Sequence, residues 1–460
     1  MDRRKLRKTL QGILPSDRVI VRDAVPAKYR FDALRPYRPY PGLHTRGYPP
    51  TFLVRPEVPA EVSSVVRVAG RFRVPVVAYG GGTGLMGAAI AARGGIMVDT
   101  IRMNRIEVSS EDMMFRAGSG VVLEDAYRKL DEEQLLFAHD PWTRPIATIG
   151  GAIATNSLGY LGAKYGSIGT QVLGIDAVLP NGELLKTRPA QFSSTGFDLR
   201  RLFTGTEGLF GIVTSAVMRA FPKPGTMKLA SYGFRRFEQA HRAINLMRLN
   251  GVRPSMIDYG EELGSNADSQ LNLAFDGLDR EVLAQAEKAE QVITDCSGRK
   301  RDDADAREFW EHRHDIALMY SRRISKQYRE EEPRTKYDYI HISLPASKTL
   351  AFRETLLQIA REGGVNVLEV GLWQGPELIS MVLSARASDP RMATRKLWRT
   401  SNLIIRHAQD SGGAMEYCHG VGMKLAHLME REHGVGLEVM RQLKIAIDPL
   451  GIMNPGKEAL

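Results

Sequence analysis

Apolar residues recur along this chain at two spacings, one typical of β-strands and the other of α-helices. Residues 52–54 and 74–78 are short, apolar runs rich in β-branched side chains, which predicts two buried strands. Residues 60–72 alternate apolar and polar side chains at helical spacing, which predicts an amphipathic helix between them. The order strand, helix, strand is typical of a parallel β-α-β unit, so the residues after position 78 lie at the sheet edge where ligands usually bind.

The same spacings predict an α+β fold over the rest of the chain. In the first half we predict strands at 96–98, 173–179 and 212–220 and a helix at 123–135. In the second half we predict helices at 237–249, 279–296 and 346–362 and strands at 271–275 and 339–344. Pro222 and Pro224, in a Phe-Pro-Lys-Pro stretch, mark the boundary between two α+β domains.

The first fourteen residues predict an amphipathic helix. Leu6, Leu10, Ile13 and Leu14 share one face, and the other positions are rich in arginine and lysine. The pattern favours a helix that packs its leucines on its own domain, and the alternative is a helix that rests on a membrane surface. Residues 20–50 are rich in Pro, Tyr and Arg, which predicts an irregular lead-in.

Composition narrows the class of protein. A chain of 460 residues, 43% of them apolar, is long enough for two buried cores. Cys296 and Cys418 lie far apart, which argues against a disulfide framework. No apolar run approaches the roughly 18 residues of a membrane span, and the basic start lacks the apolar core of a secretory signal, so we expect a cytoplasmic protein. The net charge of +10 favours an anionic partner: a substrate, a membrane surface or nucleic acid.

The loop after the second predicted strand is the first candidate site. Residues 79–87 read Y-G-G-G-T-G-L-M-G, and consecutive glycines expose backbone N–H groups that can hold a phosphate. No Gly-Lys-Ser/Thr follows, which excludes a nucleoside-triphosphate P-loop, and no Gly-x-x-Gly opens a long helix, which excludes the dinucleotide fingerprint. The alternative interpretation is a tight turn between strands.

Two further glycine-rich stretches accompany this loop. Residues 147–166 read A-T-I-G-G-A-I-A-T-N-S-L-G-Y-L-G-A-K-Y-G, residues 205–214 read G-T-E-G-L-F-G-I-V-T, and residues 448–457 read D-P-L-G-I-M-N-P-G-K. In this order the motifs resemble the vanillyl-alcohol oxidase / p-cresol methylhydroxylase superfamily over nearly the whole chain. The resemblance implies a two-subdomain FAD-binding domain of the p-cresol methylhydroxylase (PCMH) type at 1–225, an α+β substrate or cap domain at 226–405, and a segment at 406–460 that returns to the first domain.

The resemblance also implies FAD contacts. The pyrophosphate loop would use Ala78, Tyr79, Gly80, Gly81, Gly82, Thr83 and Gly84. The flavin and the following turn would be lined by Trp142, Thr143, Thr148, Gly150, Gly151, Thr155 and Asn156. The adenine and ribose side and the chain end would contribute Glu207, Gly211, Ile212, Val213 and Asn454. The pyrophosphate loop has no histidine, the residue to which some relatives attach their flavin, so we expect noncovalent FAD.

In the predicted cap domain, the chain resembles FAD-linked 2-hydroxy-acid dehydrogenases. F-W-E-H-R ends at Arg313, and K-Y-D begins at Lys336. The resemblance implies that Arg313 and Lys336 hold a substrate carboxylate, a task that suits a guanidinium and an ammonium group. The alternative is that both are ordinary solvated surface cations.

His419 is the candidate base. It lies in E-Y-C-H-G-V-G, which resembles the His-Gly-x-Gly motif of the hydroxy-acid dehydrogenases and of alkyldihydroxyacetone-phosphate synthase. Imidazole can accept a hydroxyl proton near neutral pH, and the alternative is a structural histidine in a turn. The metal-dependent relatives carry H-x-x-G-D-G-N-x-H and a Glu before the motif histidine. This chain has E-V-G-L-W-Q-G-P-E-L and Cys418 at these places, so we expect no metal.

These resemblances lead to several functional hypotheses. The first is an FAD-dependent dehydrogenase or oxidase of a small anionic 2-hydroxy acid of the D-lactate or glycolate type, passing electrons to a quinone, an electron-transfer protein or O2. The alternatives are an alkyldihydroxyacetone-phosphate synthase-like enzyme, a phenolic-alcohol oxidase, and a flavin-carrying subunit that relays electrons. None of these activities uses nucleic acid. Two further possibilities stay open from the sequence: peripheral contact with the inner face of the membrane, and formation of a homo-oligomer.

Overall fold

A four-stranded sheet carries the first glycine-rich loop. The computed structural model describes residues 2–34, 39–43, 47–265, 267–325 and 333–460. The strands of this sheet are β1 (Val19–Val21), β2 (Phe52–Val54), β3 (Val76–Tyr79) and β4 (Ile96–Asp99), in the order β1-β2-β4-β3. The strands β2, β4 and β3 are parallel, and β1 is antiparallel to β2. Because an α-helix at Pro59–Phe72 connects β2 to β3, the predicted β-α-β unit is confirmed.

The N-terminal helix packs on this sheet's core. Helix α1 (Arg3–Gln11) precedes α2, the helix at Pro59–Phe72, and contacts it. Leu6, Leu10 and Leu14 are buried in the same cluster as the apolar side of α2. The leucine face is therefore used inside the domain, which is the packing that the pattern favoured over membrane contact. None of the helices among the described residues combines the length and apolar character needed to span a bilayer.

A second, antiparallel sheet completes the first domain. Its strands are β5 (Ile106–Ser109), β6 (Met114–Gly118), β8 (Val172–Val178), β9 (Leu184–Lys186) and β10 (Ile212–Arg219), in the order β5-β6-β10-β8-β9. Two short strands, β7 (Leu135–Leu136) and β11 (Phe221–Pro222), pair with each other in a separate sheet. Its helices are α3 (Leu123–Glu132), α4 (Ile149–Thr155), α5 (Gly162–Tyr165) and α6 (Ile168–Gln171). Helix α3 ends before the predicted position because Gln134 adopts a left-handed φ of 57°.

The second domain is built on a seven-stranded antiparallel sheet. Its strands are β12 (Thr226–Phe234), β13 (Met256–Glu262), β14 (Ser269–Gly277), β15 (Arg299–Lys300), β16 (Thr335–Ser343), β17 (Asn366–Trp373) and β18 (Leu378–Arg386), in the order β15-β12-β14-β13-β17-β18-β16. Its helices are α7 (Phe237–Leu249), α8 (Asp279–Asp295), α9 (Asp303–His312), α10 (Asp315–Ser325), α11 (Thr349–Glu362) and α12 (Pro390–Asp410). The apolar pattern predicts three of these helices and two of the strands. It misses strands such as β13 and β17, in which polar residues and glycines interrupt the apolar run.

The last residues return to the first sheet. After α13 (Met429–His433) and α14 (Val435–Ile447), the chain reaches β3, where the Val76 N–H donates to the Ile452 carbonyl (2.7 Å). Ile452 and Met453 are buried with the residues of the first sheet. Short 3-10 turns complete the described elements: Ser16–Arg18, Arg22–Ala24, Ala27–Arg30, Leu199–Leu202, Ala346–Lys348 and Ala426–Leu428. The division at 225 and 405 stays our proposal for the domain limits.

Candidate active site

A cavity of about 1220 Å³ is lined by residues of both domains. The first domain contributes the three glycine-rich stretches, and the second contributes the side chains on one face of its sheet. We call these the loop side and the sheet side of the cavity. A volume of this size is above the usual range for a single small ligand, so the cavity can hold a large cofactor together with a substrate.

The loop side is built from backbone that leaves no room for side chains. A Cβ atom on Gly80 would overlap with the Thr148 side chain, and one on Gly81 would overlap with the Ile146 carbonyl. Gly82 has a left-handed φ of 65°, and a Cβ there would overlap with the Tyr79 hydroxyl. The glycines therefore let the first loop lie directly against the second glycine-rich stretch. The same glycines line the cavity, so their backbone is open to a pyrophosphate, which needs N–H donors and no intruding Cβ.

The second and third stretches continue this wall. Helix α4 begins after Thr148, whose hydroxyl accepts the Gly151 N–H (3.3 Å). Most of the residues predicted to contact the cofactor line the cavity: residues 78–84, Trp142, Thr143, Thr148, Gly150, Gly151, Thr155, Glu207, Gly211, Ile212 and Val213. The structure thus brings together stretches that lie more than 100 residues apart in the sequence.

Two predicted cofactor residues lie behind this wall instead. The Asn156 side-chain oxygen accepts hydrogen bonds from the Gly169 N–H (3.1 Å) and the Ser167 hydroxyl (3.0 Å). The buried Asn454 amide donates to the carbonyls of Glu207 (2.6 Å) and Ala88 (3.0 Å). Neither residue lines the cavity. Asn454 supports two residues that do, whereas the partners of Asn156 lie outside the lining.

Glu207 joins the loop side to the segment that carries His419. Its carboxylate accepts the backbone N–H groups of Val421 (2.8 Å) and Gly422 (2.8 Å). Burial raises the pKa of Glu207 to about 7, although these two hydrogen bonds act in the opposite direction. Glu207 has a left-handed φ of 50°, so its backbone is held in a conformation that few side chains adopt. Glu207 therefore connects the third glycine-rich stretch to the segment that carries His419, and it also lines the cavity.

His419 lines the cavity, and a buried carboxylate orients it. The Nδ1 atom of His419 lies 3.4 Å from Glu416 Oε1. The same oxygen accepts the N–H groups of Tyr417 (3.1 Å), Cys418 (2.9 Å) and His419 (3.1 Å). Burial alone would raise the pKa of Glu416, but His419, His341 and these N–H groups lower it to about 2. A carboxylate fixed in this way leaves the Nε2 atom of His419 to act on a substrate.

His341 lies beside His419, with their ring centroids 4.4 Å apart. One atom each of His341, Glu416, Cys418 and His419 could bind a metal ion, and these four atoms lie within 4.8 Å of one another. Imidazole, carboxylate and thiolate are ligands for divalent transition metals. The sequence did not indicate this group because its members lie on a strand and on a distant loop. The absence of a metal stays a prediction.

The structure does not bring Arg313 to the cavity. Its Nε atom donates to the Asp140 carboxylate (2.9 Å), and its guanidinium stacks over the Trp310 ring (3.6 Å). Asp140 is buried, which by itself raises its pKa, but His314, Arg313 and Arg144 hold this pKa well below its usual range. Arg313 is therefore part of a buried ion cluster that connects the two domains.

Lys336 is also absent from the cavity lining. Side chains alternate along β16, and Thr335, Tyr337, Tyr339 and His341 face the cavity. Lys336 therefore lies on the opposite face of the sheet, where it is fully buried. The carboxylate clamp predicted from Arg313 and Lys336 is corrected on both residues, because one is in an ion cluster and the other is on the wrong face of a strand.

The sheet side is instead aromatic and acidic. Its strands carry Asp258, Tyr337, Tyr339, Glu369 and Trp373, and two tyrosines from outside the sheet, Tyr160 and Tyr417, lie beside Trp373. Among the described residues that line the cavity, none is a lysine or an arginine. This arrangement could not be predicted from the sequence, because it depends on the register between β13, β17, β18 and β16.

Comparison with known proteins agrees with these two regions. Residues 50–188 match the family of FAD binding domains, and residues 223–458, more than half of the chain, match the C-terminal domain of FAD linked oxidases. The protein belongs to the FAD-linked oxidase family. The predicted resemblance and the FAD cofactor are thereby confirmed, and this FAD-linked oxidase is an oxidoreductase.

Relatives of known activity cover nearly the whole chain. The glycolate oxidase subunit GlcD of Bacillus subtilis is 27% identical over 447 residues, which are 93% of this chain and 91% of the relative. A D-lactate dehydrogenase of Archaeoglobus fulgidus is 26% identical over 454 residues, which are 93% of this chain and 95% of the relative.

Solved structures confirm the α+β fold. Alkyldihydroxyacetonephosphate synthase superposes with a TM-score of 0.77 at 17% identity, covering 98% of this FAD-linked oxidase and 85% of the synthase. p-Cresol methylhydroxylase superposes with a TM-score of 0.77 at 17% identity, covering 99% and 96% of the two chains. At these identities the superpositions show the shared fold alone.

Proposed function

We propose that this FAD-linked oxidase oxidises a CH–OH group, with His419 as the base that takes the hydroxyl proton. The observation that carries the proposal is the Glu416–His419 pair on the wall of the cavity that the cofactor cradle also lines. When FAD is bound, it supplies the acceptor for the hydride that leaves the carbon. The substrate thus loses one proton and one hydride and becomes a carbonyl compound.

His419 and Glu416 divide the proton transfer between them. Glu416 faces Nδ1, so Nε2 receives the proton from the substrate hydroxyl. The positive charge that develops on the imidazole lies beside a carboxylate that is already ionised, because the pKa of Glu416 is lowered to about 2. A base held in this way contributes roughly 10²- to 10⁴-fold to the rate of the chemical step.

We further propose that FAD is held noncovalently by the loop side. The backbone of residues 80–84 would hold the pyrophosphate, and the remaining lining residues of the first domain would contact the flavin and the adenosine. The first glycine-rich loop contains no histidine that could bind the flavin covalently. The purified protein is expected to be yellow and to release its FAD into the supernatant on acid precipitation. Flavin that stays in the pellet would contradict the proposal.

A small 2-hydroxy acid is the first substrate to test, with a quinone, an electron-transfer protein or O2 as the acceptor. The proposal is supported by the names of the two relatives, a glycolate oxidase subunit and a D-lactate dehydrogenase. The second candidate is an aromatic alcohol. It is favoured by the aromatic sheet side and by the lack of lysine and arginine among the described lining residues.

Anaerobic mixing of the holoenzyme with panels of both compounds tests these proposals. A true substrate is expected to bleach the oxidised flavin without any other reactant. Bleaching by D-lactate or glycolate would support the first candidate, and bleaching by benzylic alcohols alone would support the second. If no alcohol of either panel bleaches the flavin while dithionite does, oxidation of a CH–OH group is the wrong function.

A further inference from the structure

Two acidic side chains on the sheet side of the cavity, Asp258 and Glu369, flank a pair of glycines in the strands beneath them. We call the space between the two side chains the hollow and the glycine pair its floor. Gly260 on β13 pairs with Gly371 on β17. The pair Asp258 and Trp373 lies on one side of them along the strands, and Glu369 lies on the other. A Cβ on Gly260 would lie 3.3 Å from the Glu369 carboxylate, so this carboxylate reaches over the glycines. A Cβ on Gly371 would overlap with the Tyr259 carbonyl (2.7 Å) and the Ser380 hydroxyl (2.8 Å), so the space beside this glycine is already occupied.

Two carboxyl groups face this hollow. Asp258 and Glu369 both line the cavity, and none of the described lining residues is a lysine or an arginine. Burial and the nearby Glu369 raise the pKa of Asp258 to about 7, although the Trp373 side chain donates a hydrogen bond to it. Burial also raises the pKa of Glu369. Buried carboxylates that lack a cation are unfavourable, and a positively charged ligand would relieve this.

The walls of the hollow are aromatic. The ring of Trp373 lies 5.8 Å from that of Tyr160, at an interplanar angle of 86°, and 6.3 Å from that of Tyr417. Aromatic faces attract cations, most strongly where the contact is shielded from water. The Tyr417 hydroxyl is buried beside Ser380, so Tyr417 offers its ring to a ligand in the cavity. Aromatic rings and carboxylates together are the surroundings that an ammonium group prefers.

The hollow lies at a defined distance from the base. Gly371 pairs with Ser380 on β18, and Ser380 pairs with His341 on β16. His341 contacts His419. Two strand spacings, about 10 Å, therefore separate the floor of the hollow from the histidines. A ligand that fills both places is extended, with its two functional groups at opposite ends.

We propose that the hollow between Asp258 and Glu369 binds a protonated amino group of the substrate, about 10 Å from the alcohol carbon. This inference rests on the proposed oxidation at His419, and it does not depend on whether that carbon also bears a carboxylate. Asp258 and Glu369 neutralise the ammonium group and accept its hydrogen bonds, while Tyr160, Trp373 and Tyr417 exclude water from it. The substrate class is an extended amino alcohol.

Three para-substituted benzyl alcohols of similar length test the inference. The probes are 4-(2-aminoethyl)benzyl alcohol, which is cationic, 4-propylbenzyl alcohol, which is neutral, and 4-(hydroxymethyl)phenylacetate, which is anionic. Calorimetric titration of the anaerobic holoenzyme measures their dissociation constants, independently of turnover. We expect the cationic probe to bind at least 10-fold more tightly than the neutral one, and the anionic probe to bind most weakly. Equal affinities for the three probes would overturn the inference.

Substitutions of the two acidic residues show whether the preference for the cationic probe arises in the hollow. In Asp258→Asn/Glu369→Gln, the preference for the cationic probe is expected to fall at least 10-fold, while the affinity for 4-propylbenzyl alcohol stays within about 2-fold. The double variant Glu287→Gln/Asp295→Asn, which removes two exposed carboxylates of helix α8, is the matched control and should keep the preference. A preference that persists in the double variant would overturn the assignment. If the double variant loses its FAD or its fold, Gly260→Ala is tested instead, because its Cβ would lie 3.3 Å from the Glu369 carboxylate and displace it without removing a charge. This variant is expected to weaken the binding of the cationic probe more than the binding of the neutral one, and equal weakening would count against the inference.

Flavin bleaching in the same samples separates this inference from the proposed function. Tight binding of the cationic probe without bleaching would leave the ammonium site intact and contradict oxidation at His419. Bleaching by the neutral probe without any preference for the amine would support the oxidation and contradict the ammonium site.

Discussion

The two sides of the cavity are built in opposite ways. The loop side uses backbone groups and glycines that are adjacent in the sequence, and its shape depends on the absence of side chains. The sheet side uses long aromatic and acidic side chains from strands that are far apart in the sequence. The first arrangement suits a cofactor that never changes, and the second can change its specificity one side chain at a time. Five experiments test this comparison.

The largest effect is expected at Gly82. The substitution Gly82→Val places a branched side chain at a left-handed φ of 65° and against the Tyr79 hydroxyl. The purified variant is therefore expected to lose its FAD, as measured by the ratio of flavin to protein absorbance. Gly84→Ala is the control, because a Cβ there meets only the Asp32 carboxylate at 3.5 Å. Full FAD occupancy in Gly82→Val would mean that the loop is only a turn.

Substitution of His419 is expected to lower the rate of flavin reduction and to leave the FAD content unchanged. The variant His419→Ala should retain FAD and slow anaerobic flavin reduction by about 10² to 10⁴, since a general base acts mainly in the chemical step. Stopped-flow measurement of the reductive half-reaction gives this rate, and the reoxidation rate serves as the internal control. Reduction at a near-normal rate would assign His419 to packing and make His341 and Tyr417 the next residues to test.

Arg313 is expected to affect stability and not substrate affinity. The variant Arg313→Ala removes one of the cations around the buried Asp140, while Arg144 and His314 remain. We expect the free energy of unfolding to fall by about 2–3 kcal/mol, with little change in KM. Denaturant unfolding and steady-state kinetics measure the two quantities, and the exposed Arg307→Ala is the control on the same helix. A large increase in KM at unchanged stability would restore Arg313 as a substrate ligand.

Asp258 is expected to make stability depend on pH. Its pKa rises from 3.8 to about 7 in the folded protein, so between these values the folded state binds more protons than the unfolded state. Stability is therefore lost as the pH rises through this window. Asp258→Asn should be more stable than the parent protein by about 1–2 kcal/mol above pH ~7, with the difference vanishing below pH ~4. Thermal unfolding across this range measures the effect, with the exposed Asp295→Asn as control. Parallel pH profiles for Asp258→Asn and the parent protein would contradict the shift.

The smallest effect is expected from a metal chelator. Dialysis against EDTA should leave activity unchanged, although four ligand atoms lie close together near His419. Glu416 Oε1 already accepts three backbone N–H groups, and burial raises the pKa of the Cys418 thiol well above its usual value, which keeps it protonated. Activity that disappears on chelation and returns with a divalent metal would show that the cluster binds an ion.

The difference between the two sides also explains what sequence reasoning could achieve. The β-α-β unit, its glycine loop and the cofactor stretches could be predicted, because each depends on neighbouring residues. The face of β16 that lines the cavity could not be predicted. A shift of one residue decides whether Lys336 or His341 enters the cavity, and the sequence does not show that register. The partner of Arg313 could not be predicted either, because Asp140 is 173 residues away and in the other domain. The resemblance identified the motif histidine and missed Glu416, which only the folded loop brings beside it.

The hydrogen bonds of Glu207 to Val421 and Gly422 impose an order on how the candidate active site forms during synthesis. During synthesis the cofactor loops and Glu207 leave the ribosome more than 200 residues before the segment that holds Val421 and Gly422. The early domain can fold while the chain is still growing, but the catalytic histidine reaches its place only after the late segment docks on that carboxylate. An unfinished chain therefore carries the glycine-rich loops without His419, so the oxidation that we propose cannot begin until residues 416–422 have been made and have docked.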